Sequence, residues 1–112
     1  MSLGAKLAQL RLRKGESLQT AADAVGISKT HIWQLEKGTS ENPSLELLKK
    51  LADHYAVPMT FLAGQDEAET LEDAEAQQFF RDFKSLSEAE QAALRQTLEL
   101  FKNKKGRRGG SA

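Results

Sequence analysis

Cysteine is absent from these 112 residues, so neither a disulfide framework nor a cysteine-rich zinc site can form. The two histidines, His31 and His54, are too few for a histidine cluster, and no metal is expected. Long apolar runs are also missing. The start MSLGAKLAQLRLRKG has no continuous apolar core of the kind export requires, and no stretch approaches the roughly twenty apolar residues of a membrane span. A soluble protein of the reducing cytoplasm, with no membrane partner, is the expectation. No nucleophile with a paired base and no phosphate-cradling loop is visible, which argues against an enzyme and against a cofactor.

An excess of charge of either sign is lacking too, with 16 basic and 16 acidic residues. That balance first argues against a nucleic-acid partner, because duplex binding rests on neutralised phosphates. The distribution reverses the argument. Up to Gly64 bases slightly outnumber acids, Asp66 to Glu99 is strongly acidic, and the tail carrying Lys102, Lys104, Lys105, Arg107 and Arg108 is purely basic. Only the first and last segments suit a polyanion.

What is present reads as helices. Leu3, Leu7 and Leu10, with Ala5, Ala8 and Leu12, give a first helical period ended at Lys14-Gly15. Ser17 supplies an N-cap for a second helix, Leu18 to Val25, with Leu18, Ala21, Ala22 and Val25 on its apolar side. Small Ala22 lets crossing helices approach. Gly26 permits the positive φ of a one-residue reversal, Ile27 plugs the corner, and Ser28 caps a third helix, Lys29 to Lys37. Ile32 and Leu35 face inward there, while Lys29, Thr30, Trp33, Gln34 and Lys37 fall on the outer arc. Polar first turns on the second helix of such a pair are what a major-groove reader needs. Gln34 suits bidentate bonding to adenine, Lys29 suits guanine or phosphate, and Thr30 offers a methyl to thymine or a hydroxyl to any base.

These residues resemble the lambda-repressor/Cro-type helix-turn-helix regulators, the XRE family, over about residues 3–64. The likeness rests on Ala22, Gly26, Ile27-Ser28, Ile32, Leu35-Glu36-Lys37-Gly38 and Asn42-Pro43-Ser44. It implies an all-α, five-helix lambda-repressor-like domain that binds an operator in double-stranded DNA through helix three. It also implies that Arg11 and Glu36 form a structural pair. Leu18 departs from the pattern, since many members carry there a glutamine that touches phosphate, and Gln19 next to it is the candidate for that contact. By the same likeness the loop residues Thr39, Ser40 and Asn42 touch phosphates and set register. Ser17, Ser28, His31 and Lys37 complete the DNA-facing set. His31 has a plainer reading as an exposed side chain, and His54 reads as surface at a helix end. Trp33 lies against the DNA backbone, over the stem of Lys37, or on a neighbouring helix.

Pro43 and Ser44 open helix four, Leu45 to His54, with Leu45, Leu48, Leu51 and Ala52 as its core face. Pro58 opens a short fifth helix in which Phe61 and Leu62 seal the core, and Gly64 ends the domain. Residues 65–75 read as an acidic linker grading into a helix. Residues 76–104 read as a hairpin of two amphipathic helices, the second begun by the capping box Ser87 to Glu90. The stripe of Leu71, Ala76, Phe79, Phe80 and Phe83, with Ala93, Leu94, Leu98 and Phe101, cannot be buried by so small a hairpin alone. A partner surface is implied, most simply a second copy in a homodimer. Residues 105–112 read as a basic, disordered tail.

The layout also resembles that of SinR-type repressors, in which a helical hairpin dimerises and receives a protein antagonist. The rival reading is a protein-interaction adaptor or antitoxin-like regulator that binds another protein through the hairpin. The polar first turns of helix three favour the DNA reader.

Overall fold

A serine stands before each of the first four helices, and its hydroxyl takes the amide three residues on. Ser2, Ser17, Ser28 and Ser44 accept from Ala5, Thr20, His31 and Leu47 at 3.0–3.1 Å. Each cap satisfies one of the amides that a helix start leaves without a partner. The helices so begun are α1 (Leu3–Arg13), α2 (Leu18–Val25), α3 (Lys29–Lys37) and α4 (Leu45–Tyr55), followed by α5 (Met59–Leu62), α6 (Leu71–Ser85) and α7 (Glu88–Gly110). The structure is a computed structural model that describes residues 1–39, 42–65 and 70–110, with the backbone alone for 105–110. Ser40, residues 66–69 of the acidic segment and residues 111–112 of the tail lie outside the described residues. Among the described residues every regular element is helical, and none is long and apolar enough to cross a membrane.

The α2–α3 reversal is closed by Gly26 at φ 74°, a left-handed conformation that costs glycine nothing, and the Ile27 amide bonds back to the Ala22 carbonyl at 3.0 Å. Ala56 makes the same turn after α4 at φ 54°, with Val57 bonded to the Ala52 carbonyl at 3.1 Å. A side chain in that region costs about 1 kcal/mol, and burial of Val57 and Tyr55 on either side offsets it.

Two compact units divide the chain, Met1–Phe79 and Phe80–Ala112. In the first, α3 packs on α1 and α2, and α4 packs on α2 and α5. Leu7, Leu10, Ala21, Ala22, Val25, Ile32, Leu35, Leu48, Leu51, Phe61 and Leu62 form one core. Two leucines depart from their expected places. Leu45, expected in the core, is 71% exposed and Leu47 is buried instead. Helical side chains lean towards the N-terminus, so a leucine at the first helical position projects past the packed body. Leu12 is 66% exposed because, five residues after Leu7, it falls off the Leu3–Leu7–Leu10 stripe.

The acidic segment is not linker throughout. α6 starts at Leu71, and Leu71 and Ala74 are buried in the core of the first unit. Arg13 ties the same turns down through Glu75 at 2.6 Å and Glu72 at 3.6 Å. The acids occupy the solvent face and the two apolar residues, three apart, occupy the other. A chain cut after Gly64 is therefore expected to be less stable by about 2–3 kcal/mol than one cut after Phe79, the worth of a buried leucine and alanine. Chemical denaturation of the two fragments measures this, and equal midpoints would show that Leu71 adds nothing.

In the second unit Ser87 and Glu90 form a reciprocal capping box, the Glu90 amide donating to Ser87 Oγ at 3.2 Å and the Ser87 amide to Glu90 Oε1 at 2.9 Å. The hydrogen bond from the Ser87 amide holds the Glu90 carboxyl below its ordinary pKa. Gln91 Nε2 donates to the carbonyls of Phe83 and Leu86, satisfying the end of α6. The helix α7 runs to Gly110, into the segment expected to be disordered. No proline interrupts that stretch, and each glycine costs a helix only about 1 kcal/mol.

Candidate nucleic-acid interface

Alternation around α3 sorts its residues by role. Ile32 and Leu35 are buried, His31 is half-buried, and Lys29, Thr30, Trp33, Gln34 and Lys37 are exposed. The helix carries a single carboxylate, Glu36, and its side chain is only 7% exposed. Arg11 of α1 holds it in a fork, Nε donating to Oε2 at 2.7 Å and Nη2 to Oε1 at 3.1 Å. The third arm, Nη1, donates to the Glu16 carbonyl at 2.9 Å. A planar guanidinium is suited to such a bidentate grip, and the hydrogen bonds it donates to the Glu36 carboxylate raise the Arg11 pKa further. The consequence is electrostatic. With Glu36 neutralised inward, the solvent face of α3 presents Lys29 and Lys37 and no free acid.

Gly4 sets how closely α1 can cross α3. A Cβ on Gly4 would collide with the Glu36 carbonyl and stand 2.7 Å from that of Leu35. The Arg11 fork and the missing Cβ thus act on the same end of α3. A glycine inside a helical pattern is the sequence signal for such close approach, and Gly4 carried it unremarked in the run LGAKLAQL.

A second polar clasp was not legible. His54, expected to be plain surface, has only 17% of its side chain exposed, and its Nε2 meets both carboxylate oxygens of Glu16 at 2.8 and 3.0 Å. Lys14 Nζ donates to the His54 carbonyl at 2.9 Å. The α1–α2 junction is thereby tied to the end of α4. The two partners are 38 residues apart, a separation at which no periodicity or motif links them. Tyr55 packs beside His54, ring centroids 4.7 Å apart, and burial, reinforced by the Glu16 and Glu36 carboxylates, pushes its pKa up. It stays neutral.

The remaining candidates surround this frame. Ser17 and Ser28 are exposed caps at the starts of α2 and α3, and the Ser17 hydroxyl donates to Thr20 Oγ1 at 3.0 Å. Gln19 is exposed on α2, its amide donating to Asp23 at 2.8 Å. Thr39 and Asn42 are exposed after Gly38. The structure therefore brings Arg11 and Glu36 into contact and leaves the polar α3 residues open. Among the described residues no group of His, Asp or Glu is placed to hold a metal ion. Trp33, with three readings from sequence, stands 46% exposed.

Comparison with known proteins places this frame. A helix-turn-helix domain family model matches residues 2–62. The cryptic phage CTXphi transcriptional repressor RstR of Vibrio cholerae is 33% identical over 89 residues, covering 80% of this chain and 78% of the repressor. The HTH-type transcriptional regulator SinR of Bacillus licheniformis is 32% identical over 68 residues, 60% of this chain and 61% of that protein. Among solved structures, the N-terminal DNA-binding domain of SinR from Bacillus subtilis superposes with a TM-score of 0.53 at 29% identity, covering 61% of this chain and 96% of the domain. The SinR/SinI protein complex matches with a TM-score of 0.54 at 27% identity, covering 93% of this chain and 98% of the matched chain. With a helix-turn-helix model spanning more than half its length and a phage repressor aligned over four-fifths of it, the chain belongs to the XRE-type helix-turn-helix family of DNA-binding transcriptional regulators.

Proposed function

We propose that the protein is a dimeric repressor that occupies a promoter operator, laying α3 in the major groove of each half-site. The observation that carries the reading is the solvent face of α3, which is polar, flanked by Lys29 and Lys37, and cleared of acid by the inward turn of Glu36. Lys29, Thr30 and Gln34 meet base edges. Ser17, Gln19, Ser28, His31, Lys37, Thr39 and Asn42 meet phosphate and sugar, which fixes register without reading sequence. The protein acts in the cytoplasm, without cofactor and without catalysis. If Gln34 reads adenine, Gln34→Ala relaxes specificity at one base position by about 1–3 kcal/mol and leaves other positions alone. Competition binding against single-base operator variants measures it, and a uniform loss across all variants would remove Gln34 from the readers.

Dimerisation is assigned to the C-terminal hairpin. In that unit Phe80, Leu94, Leu98, Leu100 and Phe101 are 41–69% exposed, more apolar surface than a solvated hairpin keeps without a partner. The two half-sites of a dimer lie about one helical turn of DNA apart, and linking two weak modules multiplies their affinity. Leu98→Asp, which sets a charge into that stripe, is expected to convert the dimer to monomers in sedimentation velocity. An unchanged dimer would place the seam elsewhere. The match to a SinR/SinI complex supports a protein antagonist that competes for the same hairpin.

A further inference from the structure

Trp33 is the single tryptophan of the chain, and it stands 46% exposed in the middle of the α3 outer face. Thr30, Trp33, Gln34 and Lys37 are spaced by three, four and seven residues, so they form one stripe along the helix, away from buried Ile32 and Leu35. A half-exposed indole set in a polar stripe offers a large, rigid apolar face with an N–H at its edge, a combination suited to contact with a partner. Its neighbours say which kind. Lys29 and Lys37 flank it, and the one carboxylate of α3 is locked to Arg11, so the surroundings suit a polyanion.

In an intact duplex the bases are stacked and their ring faces are closed to an intruding side chain. Along the major groove the base edges offer hydrogen-bond donors and acceptors and one apolar group, the 5-methyl of thymine. We infer that Trp33 is a specificity-determining residue whose indole packs on thymine methyl groups beside the base met by Gln34, so that thymine is selected over cytosine there. The inference rests on α3 being the base-reading helix. Each methyl so covered contributes about fourfold in affinity, the worth of one buried methyl or methylene.

The test uses the full-length protein and a duplex recovered by selection from random sequence. Each thymine is replaced in turn by deoxyuridine, which removes the methyl and leaves O4 and base pairing intact. One or two positions should weaken binding about fourfold, and Trp33→Ala should bind the thymine and deoxyuridine duplexes equally while keeping the wild-type thermal midpoint. Trp33→Leu, which keeps an apolar body, should retain part of the discrimination, and wild-type tryptophan emission should shift on the selected duplex. Three results would overturn the inference. Wild-type indifference to deoxyuridine with a uniform loss for Trp33→Ala would put the indole on the sugar-phosphate backbone. Unchanged DNA affinity for Trp33→Ala, with emission responding to self-association, would assign it to a protein contact. Absence of salt-dependent duplex binding would remove the base-reading helix itself, and this inference with it.

Discussion

Arg11→Ala is expected to lower the unfolding free energy by about 3 kcal/mol and the thermal midpoint by more than about 10 °C. The reason lies in what remains. Glu36 has 7% of its side chain exposed, and without the guanidinium its carboxylate keeps neither of the two hydrogen bonds that satisfied it. Removing one member of a nearly buried ion pair leaves the cost of desolvating the other. The Glu16 carbonyl loses its donor as well, so the α1–α2 junction loosens together with the end of α3. Arg11→Lys keeps the charge and loses the fork, and its loss should be intermediate. Denaturant titration with coincident circular dichroism and fluorescence provides the readout. A change within about 0.5 kcal/mol, the range of ordinary surface substitutions, would show that the pair does not hold α3.

Gly4→Ala is expected to destabilise by about 2 kcal/mol, although helix propensity alone points the other way. Alanine is favoured over glycine in a helix by up to about 1 kcal/mol, an advantage that is smaller in a first turn. Against it stands overpacking, worth about 1–3 kcal/mol or more when the neighbour cannot move. The atoms in the way are the backbone carbonyl oxygens of Leu35 and Glu36, fixed by the helix they end, and no rotamer change removes them. α1 must therefore lift from α3, which stretches the Arg11–Glu36 fork. Operator affinity should fall with stability for that reason. Differential scanning calorimetry gives the sign directly, and a more stable Gly4→Ala would mean that the α1–α3 crossing relaxes freely.

Much of the first unit was legible because its local signals agree. Ser17, Ser28 and Ser44 at helix starts and glycines after α2 and α3 mark boundaries that the backbone follows. Where the reading failed, a long-range or end effect had overridden the local pattern. Leu45 satisfied the period and still lies outside, because the first turn of α4 outruns the body that would cover it. Leu71 was read as part of the hairpin's unpartnered stripe and Ala74 was hidden by acidic neighbours, yet these two apolar residues on one face seat the start of α6 in the core of the first unit. The Glu16–His54 clasp joins side chains 38 residues apart, and only the fold makes them neighbours. Arg11 and Glu36 belong with that last kind of contact. Their pairing was expected from family likeness, since a gap of 25 residues carries no physical signal by itself.

The proposed division between bracing and reading rests on this geometry. Arg11, Glu36 and Gly4 are engaged within the fold where α1 meets the end of α3, and Glu16 and His54 tie the α1–α2 junction to α4. Thr30, Trp33, Gln34 and the two lysines are what α3 leaves exposed. Substitutions in the first group should cost stability and affinity for every sequence together, whereas those among the proposed base readers Lys29, Thr30 and Gln34 should change which sequence is preferred.

The most direct test of sequence-specific reading by α3 is selection of bound sites from a random duplex pool by the full-length protein, at two salt concentrations. The expected motif is two inverted half-sites centred about 10 bp apart, with affinity that falls steeply as salt rises and base preferences that Gln34→Ala alters at one position in each half. A pool that stays random after repeated rounds, or a motif unchanged by substitution anywhere on the exposed face of α3, would contradict it.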